Sequence, residues 1–172
     1  ADLIAAEAPT VHLRCASQLA AGRAAAITSL DLRAGSKILV AAADGGAAEF
    51  PLPVAPGATP KASRYADAPG GPSPKVALHP GGKPEAATAG RSSAGGARVS
   101  LWDTERKEAA GALVWGTSPG TAIAYSASAR SVAFGTGGGA LVLCSRRPLA
   151  TTKVLVPEGP AAISSVAWAP EG

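Results

Sequence analysis

Short apolar runs recur along the chain at a nearly constant interval, and each is followed by a turn rich in small residues. Apolar side chains alternate with others within these runs, and a period of two indicates strands rather than helices. The runs that start the repeats are residues 27–32, 75–78, 122–125 and 163–168. The residues that occupy equivalent places in them, roughly 43 to 47 positions apart, are Leu32, Leu78, Tyr125 and Trp168.

Each repeat continues with further apolar runs that are separated by glycine-rich turns. Second runs are clearest at residues 38–40 and 132–134, and outer strands are predicted at 112–115 and 153–156. Third runs occupy residues 48–50, 99–101 and 141–143. Four strands in about 40–45 residues make one blade of a β-propeller. The sequence therefore predicts an all-β fold of propeller blades, each a four-stranded antiparallel sheet, with about three full repeats and partial blades at both ends.

The repeats divide the chain into five predicted segments. They are the end of a preceding blade (1–24), a blade with a long Pro/Gly-rich loop at about 53–74 (25–72), a blade closest to consensus (73–117), another blade (118–158), and the first strand of the next blade (159–172). We expect the loop to be either a tolerated insertion or a partner-binding arm. The whole is expected to be a section of a larger ring within the same full-length chain, or alternatively a closed ring of four blades.

Residues 75–114 resemble the repeat of the WD-repeat β-propeller family nearly end to end. A His-Pro-Gly-Gly-Lys turn at 79–83 follows the first strand, and the third strand ends in Trp102-Asp103, the dipeptide that names the family. In that family a His before the first strand often hydrogen-bonds through a Ser or Thr to the Trp. The resemblance therefore implies a structural signature of Thr88, Trp102 and Asp103, although the segment 69–72 contains no His.

The other repeats resemble the family less closely, since the dipeptide positions hold Pro51-Leu52 and Cys144-Ser145. The family consists mostly of interaction platforms, so the resemblance implies a protein-binding role. The resemblance points to no catalytic residue in this chain, and it implies no cofactor.

Composition excludes a disordered tail, because hydrophobic residues make up 47% of the chain and charged residues only 16%. The net charge of +4 is spread along the chain, with short basic clusters at Arg106-Lys107 and Arg146-Arg147. Such scatter favours solvated surface or an acidic protein partner over a nucleic acid. No signal peptide and no apolar run of about 18 residues is visible in the sequence, so we expect a soluble, intracellular, cytoplasmic protein with no membrane partner.

Candidate chemistry is sparse. Residues 135–140 match the dinucleotide pattern G-x-G-x-x-A, but a strand follows instead of the helix that the pattern requires, which predicts a hairpin turn. The histidines are too few for a metal site, and His79, in its Pro-Gly turn, is expected to be solvated. Cys15 and Cys144 lie in apolar runs and are predicted to be buried free thiols. No catalytic, cofactor-binding or metal-binding residue is predicted.

These observations predict a non-catalytic scaffold for protein interactions within a large multiprotein assembly. Abundant Ala, Gly, Pro and Arg suggest a GC-rich coding sequence such as a green alga's, which favours a ciliary or microtubule-associated role with tubulin or ciliary proteins as partners. Candidate partner contacts are Trp115, at a strand end, together with Arg146 and Arg147. The alternatives are a propeller-based enzyme whose site lies mostly outside this segment, and an RNA-associated WD-repeat module.

Overall fold

The computed structural model describes residues 26–33, 37–43, 45–51, 63–64 and 74–169. Within these ranges the chain forms twelve β-strands. Their bounds are β1 Ile27–Arg33, β2 Lys37–Ala42, β3 Ala47–Pro51, β4 Ser63–Arg64, β5 Lys75–Leu78, β6 Glu85–Arg91, β7 Ala97–Asp103, β8 Glu108–Trp115, β9 Gly120–Tyr125, β10 Ser131–Thr136, β11 Leu141–Ser145 and β12 Ala150–Val156. None of the described residues belongs to a helix long and apolar enough to cross a membrane.

The strands form three antiparallel sheets of four strands, and each sheet keeps the order of the sequence. The first sheet contains β1 to β4, the second β5 to β8 and the third β9 to β12. The first strand of each sheet lies next to the first strand of the following one, so that β1, β5 and β9 are neighbours. This confirms the predicted all-β architecture of four-stranded antiparallel blades.

Hairpin turns join the second and third strands at equivalent places in the sheets. Gly95, between β6 and β7, and Gly139, between β10 and β11, have φ angles of 96° and 82°. Residues with a Cβ rarely adopt such angles, which explains the glycines found there. The run at 135–140 is thus the end of a strand followed by a hairpin, as its sequence context predicts.

Apolar side chains fill the space between neighbouring sheets. The layer between the first and second sheets consists of Leu39, Ala41, Ala47, Val76, Leu78, Ala86 and Trp102. The layer between the second and third sheets includes Val99, Leu101, Ile123, Tyr125, Val132, Phe134 and Val142. Alanines complete both layers, and their small side chains allow the sheets to approach closely although each buries little area.

The Pro/Gly-rich stretch at about 53–74 contains a short strand that the sequence does not predict. Ser63 and Arg64 form β4, which pairs with Glu49 and Ala48 of β3 and completes the first sheet. Neither residue has strong strand propensity, so the pairing comes from the hydrogen-bonding groups that the edge of β3 offers. The long loop predicted at about 53–74 thus includes a strand at these two residues, and residues 52–62 and 65–73 lie outside the described part.

Residues 157–169 form no strand, and the part from 163 to 168 lies alongside β9. Ile163 donates its N–H to the Thr136 carbonyl at 3.1 Å and accepts a hydrogen bond from Thr121 Oγ1 at 2.6 Å. The Trp168 indole donates to the Ala124 carbonyl at 3.2 Å. The sequence predicts a first strand at 163–168. A strand requires a backbone hydrogen-bond ladder with a partner strand, and none of the described strands forms such a ladder with this segment. The predicted end of a preceding blade, residues 1–24, lies outside the described part.

Candidate functional site

Two residues of the predicted signature meet inside the second sheet. Thr88 lies on β6 and Trp102 on β7, and the Trp102 indole donates to Thr88 Oγ1 at 2.9 Å, with both side chains buried. Asp103, at the end of β7, accepts hydrogen bonds from the backbone N–H groups of Glu105 at 2.9 Å and Arg106 at 3.0 Å. These bonds, led by the one from Arg106, lower the pKa of the Asp103 carboxyl. The three residues thus fix the interior and one turn of their own sheet.

His79 is buried, so the expectation that it is solvated is wrong. Its ring lies against the Tyr125 ring, with centroids 5.6 Å apart, and its Nδ1 accepts the N–H of Gly81 at 3.1 Å. The turn that follows β5 is covered by the neighbouring third sheet, which the sequence of the turn alone could not indicate. Burial, followed by the charge of Arg146, lowers the pKa of His79 below its usual value.

A buried carboxylate, Glu85, is the centre of a polar cluster between the second and third sheets. Glu85 begins β6, and its side chain is 7% exposed. Tyr125 donates its hydroxyl to Glu85 Oε1 at 3.0 Å, and Arg146 Nη1 contacts both carboxylate oxygens at 3.2 Å. Arg147 Nη2 contacts Oε2 at 3.3 Å. Burial and the nearby carboxylate raise the pKa of Tyr125, which keeps its hydroxyl protonated as a donor.

The junction between the first and second sheets is built in the same way. Glu49 of β3 is buried and forms ion pairs with Lys37 at 3.1 Å and with Lys107. Lys107 lies in the β7–β8 turn, which is equivalent to the β11–β12 turn that carries Arg146 and Arg147. At both junctions, therefore, a base from the third turn of one sheet reaches a buried acid of the preceding sheet.

A further polar link joins the inner strands of the first two sheets. Asp31 of β1 accepts the N–H of Leu78 at 2.6 Å, and Ser29 accepts the N–H of Val76 at 3.3 Å. The sequence pattern indicated no role for Asp31, Glu49 or Glu85. The signal that was available for Glu85 is a carboxylate at the start of a strand of mostly small residues, where a buried charge requires a partner.

The candidate partner contacts do not form a single surface. Trp115 ends β8 and packs edge-to-face on Phe134, with ring centroids 6.0 Å apart. Arg146 and Arg147 lie near Ala110 and Ala112, away from the Trp115 end of β8. Arg146 is only 13% exposed and is held by Glu85, whereas the Arg147 side chain is 74% exposed.

An open cavity of about 420 Å³ lies between β8 and the β11–β12 turn, and we refer to it as the rim cavity. It is lined by Glu85, Leu101, Ala110, Gly111, Ala112, Arg146, Arg147, Pro148 and Leu149. A second open space of about 490 Å³ lies along the inner strands β1, β5 and β9 and the segment 164–168.

One further candidate group, Cys144, lies in the described part of the chain. Cys144 is a buried free thiol, as predicted, and burial raises its pKa to about 11. Cys15 lies outside the described residues. Across the described ranges, no three His, Cys, Asp or Glu side chains are grouped so that they could hold a metal ion.

The fold is similar to that of a solved WD40 domain, the one of coronin from Toxoplasma gondii. The two share 15% sequence identity with a TM-score of 0.64, and the match covers 78% of this chain and 34% of that one. The chain thus spans about a third of the length of that structure. No protein-family model and no curated protein matches the sequence. At this identity the likeness concerns the fold, and together with the three sheets it shows that the chain has the fold of WD40 β-propeller blades.

Proposed function

We propose that the chain is a non-catalytic platform for protein–protein interactions within a multiprotein assembly. The observation that carries this proposal is that buried carboxylates form ion pairs across the junctions between blades. Glu49 and Glu85 each bind bases from the following blade. A buried acid that is paired across a junction resists separation of the two blades, because separation would leave a charge without its partner. We therefore expect the blades to move together as one body.

Rigidity favours binding, because a surface that is already ordered loses little conformational entropy when a partner docks. The turns between strands project from this body, and several of them carry exposed charged side chains. Arg106 in the β7–β8 turn and Arg147 in the β11–β12 turn are 78% and 74% exposed. Such side chains set partner choice and association rate.

The finer proposal is that the partners include tubulin or ciliary proteins, in the cytoplasm or at the cytoskeleton. Its support is the net charge of +4, which suits an acidic protein surface. The composition typical of a GC-rich coding sequence adds the algal context in which cilia are common.

We also propose that further blades of the same full-length chain complete a ring. Leu30 and Leu32 of β1 alternate with Ser29 and Asp31, which contact β5, and both leucines are exposed. The equivalent face of β5 carries Leu78, which is buried against the first blade. A preceding blade would cover the leucines in the same way. The intact mass of the native protein tests this, since a mass near 16.7 kDa would leave no further blades.

The scaffold proposal is tested by capture followed by reconstitution. The purified chain is immobilised, proteins retained from an extract of its source cells are quantified by mass spectrometry, and each candidate is purified and mixed with the chain. We expect at least two different proteins to bind at once in a single complex of fixed stoichiometry, as measured by light scattering after size exclusion. An unrelated propeller of similar charge serves as the control. Reconstituted binding of no partner, or chemical conversion of a partner by the chain, would contradict the proposal.

A further inference from the structure

We propose that the rim cavity binds an acidic side chain, Glu or Asp, on an extended segment of a partner protein. This inference rests on the proposed platform function and assigns a partner chemistry to one place on it. The cavity lies where the outer strand of the second blade meets the β11–β12 turn of the third, so a ligand there would contact two blades.

The charge in the cavity is unbalanced. Its lining contains two guanidinium groups, Arg146 and Arg147, and one carboxylate, Glu85. Both Glu85 oxygens already accept hydrogen bonds, one from Tyr125 and Arg146 and the other from both arginines. The net charge of the lining is therefore positive by one unit, which a ligand carboxylate would neutralise.

Arg147 is the residue suited to bind that carboxylate. It gives Glu85 a single contact, at 3.3 Å through Nη2, and its side chain is 74% exposed. A guanidinium carries five N–H donors in a planar fork that matches a carboxylate with two parallel hydrogen bonds. Arg146 bonds both Glu85 oxygens and is nearly buried, so it acts as a positioning residue that fixes the Glu85 carboxylate beneath Arg147.

The remaining lining explains why the ligand should be a peptide and not a small anion. Leu101 and Leu149 provide apolar surface, and Ala110, Gly111 and Ala112 of β8 leave room for a backbone to approach. A Glu or Asp side chain on an extended segment combines a carboxylate with an apolar stem and a backbone. A free anion would use only the charged part of the cavity.

The test uses fluorescence anisotropy with the folded chain and a labelled eight-residue peptide of alternating Glu and Ala, amidated at its C-terminus. We expect the peptide to bind saturably as the concentration of the chain is raised to about 1 mM. The Arg147→Gln variant should bind the peptide about tenfold more weakly. Arg147→Lys keeps the charge but loses the fork, so it should bind with intermediate affinity. Arg106→Gln is the matched control, because Arg106 is an equally exposed arginine in the equivalent turn of the second blade.

Three further arms can overturn the proposal. A Gln-Ala peptide that binds as tightly as the Glu-Ala peptide would show that no carboxylate is recognised. Equal losses in Arg147→Gln and Arg106→Gln would show general attraction to positive charge and not a site. Tighter Arg147-dependent binding of an oligouridylate would assign the cavity to phosphate. Failure of peptide binding while captured partners still bind would contradict this inference alone, whereas loss of all partner binding would contradict the platform function.

Discussion

Trp102 donates its indole N–H to Thr88 Oγ1 across the β6–β7 pair, and both side chains are buried. The acceptor lies 14 residues from the donor and is placed by strand register, since Trp102 pairs with Ala86 and Thr88 with Ser100. The bond therefore ties the second and third strands of one blade together through their side chains, in addition to the backbone ladder.

Replacing Thr88 with Val is expected to destabilise the protein by about 1–3 kcal/mol. The side chains have the same shape, but the valine removes the acceptor of a buried indole N–H. Urea denaturation followed by tryptophan fluorescence measures the change. Thr152→Val is the control, because Thr152 bonds the Leu143 carbonyl at an exposed position where water can replace it. Equal losses of stability in the two variants would show that the buried Thr88 bond contributes no more to the free energy of unfolding than an exposed one.

Arg146 and Arg147 are adjacent in sequence and contact the same carboxylate, yet their contributions to stability should differ. Arg146→Gln removes the main partner of buried Glu85 and should cost about 3 kcal/mol. Arg147→Gln removes an exposed contact and should cost less than about 1 kcal/mol, an effect that vanishes in high salt. Denaturant midpoints at low and high salt measure both. A larger loss for Arg147 than for Arg146 would contradict the geometry of the junction.

Local pattern made most of the blade architecture predictable. Alternating apolar residues and glycine turns recur with the period of a blade, and these features depend on neighbours in sequence. Thus β9 and the β10–β11 hairpin lie where the pattern indicates. The strand β4 was missed because Ser63 and Arg64 gain their hydrogen bonds from β3 and not from any preference of their own.

The junctions could not be predicted in the same way. Arg146 and Glu85 are 61 residues apart and lie on different sheets, so only the placement of one blade against the next brings them together. The burial of His79 has the same origin, since its cover is Tyr125 from the following blade. The carboxylates within β3 and β6, Glu49 and Glu85, were visible in the sequence, but nothing local identified the bases that would reach them.

His79 should make the free energy of unfolding fall as the pH drops below about 6.5. Burial, followed by the charge of Arg146, lowers the pKa of His79 in the folded state below its usual value of 6.5. The unfolded chain therefore binds the proton more readily, so stability is fully present above that value and is lost as pH falls through it. Urea denaturation at several pH values measures the slope. His79→Asn should flatten it, whereas a slope that is unchanged in this variant but abolished by His12→Asn would refute the assignment.

Cys144 should be almost inert to thiol reagents while the protein is folded. Burial raises its pKa to about 11 from an ordinary value near 9, so at pH 8 its thiolate fraction falls by about 100-fold. In a Cys15→Ser background, which leaves one thiol, alkylation by iodoacetamide should be at least about 100-fold slower in the native protein than in urea. Raising the pH from 8 to 10 should speed the native reaction steeply, because the thiolate population still grows throughout this range. Native and unfolded rates within about threefold of each other would mean that β11 does not bury this side chain, and that the third blade is open on that face.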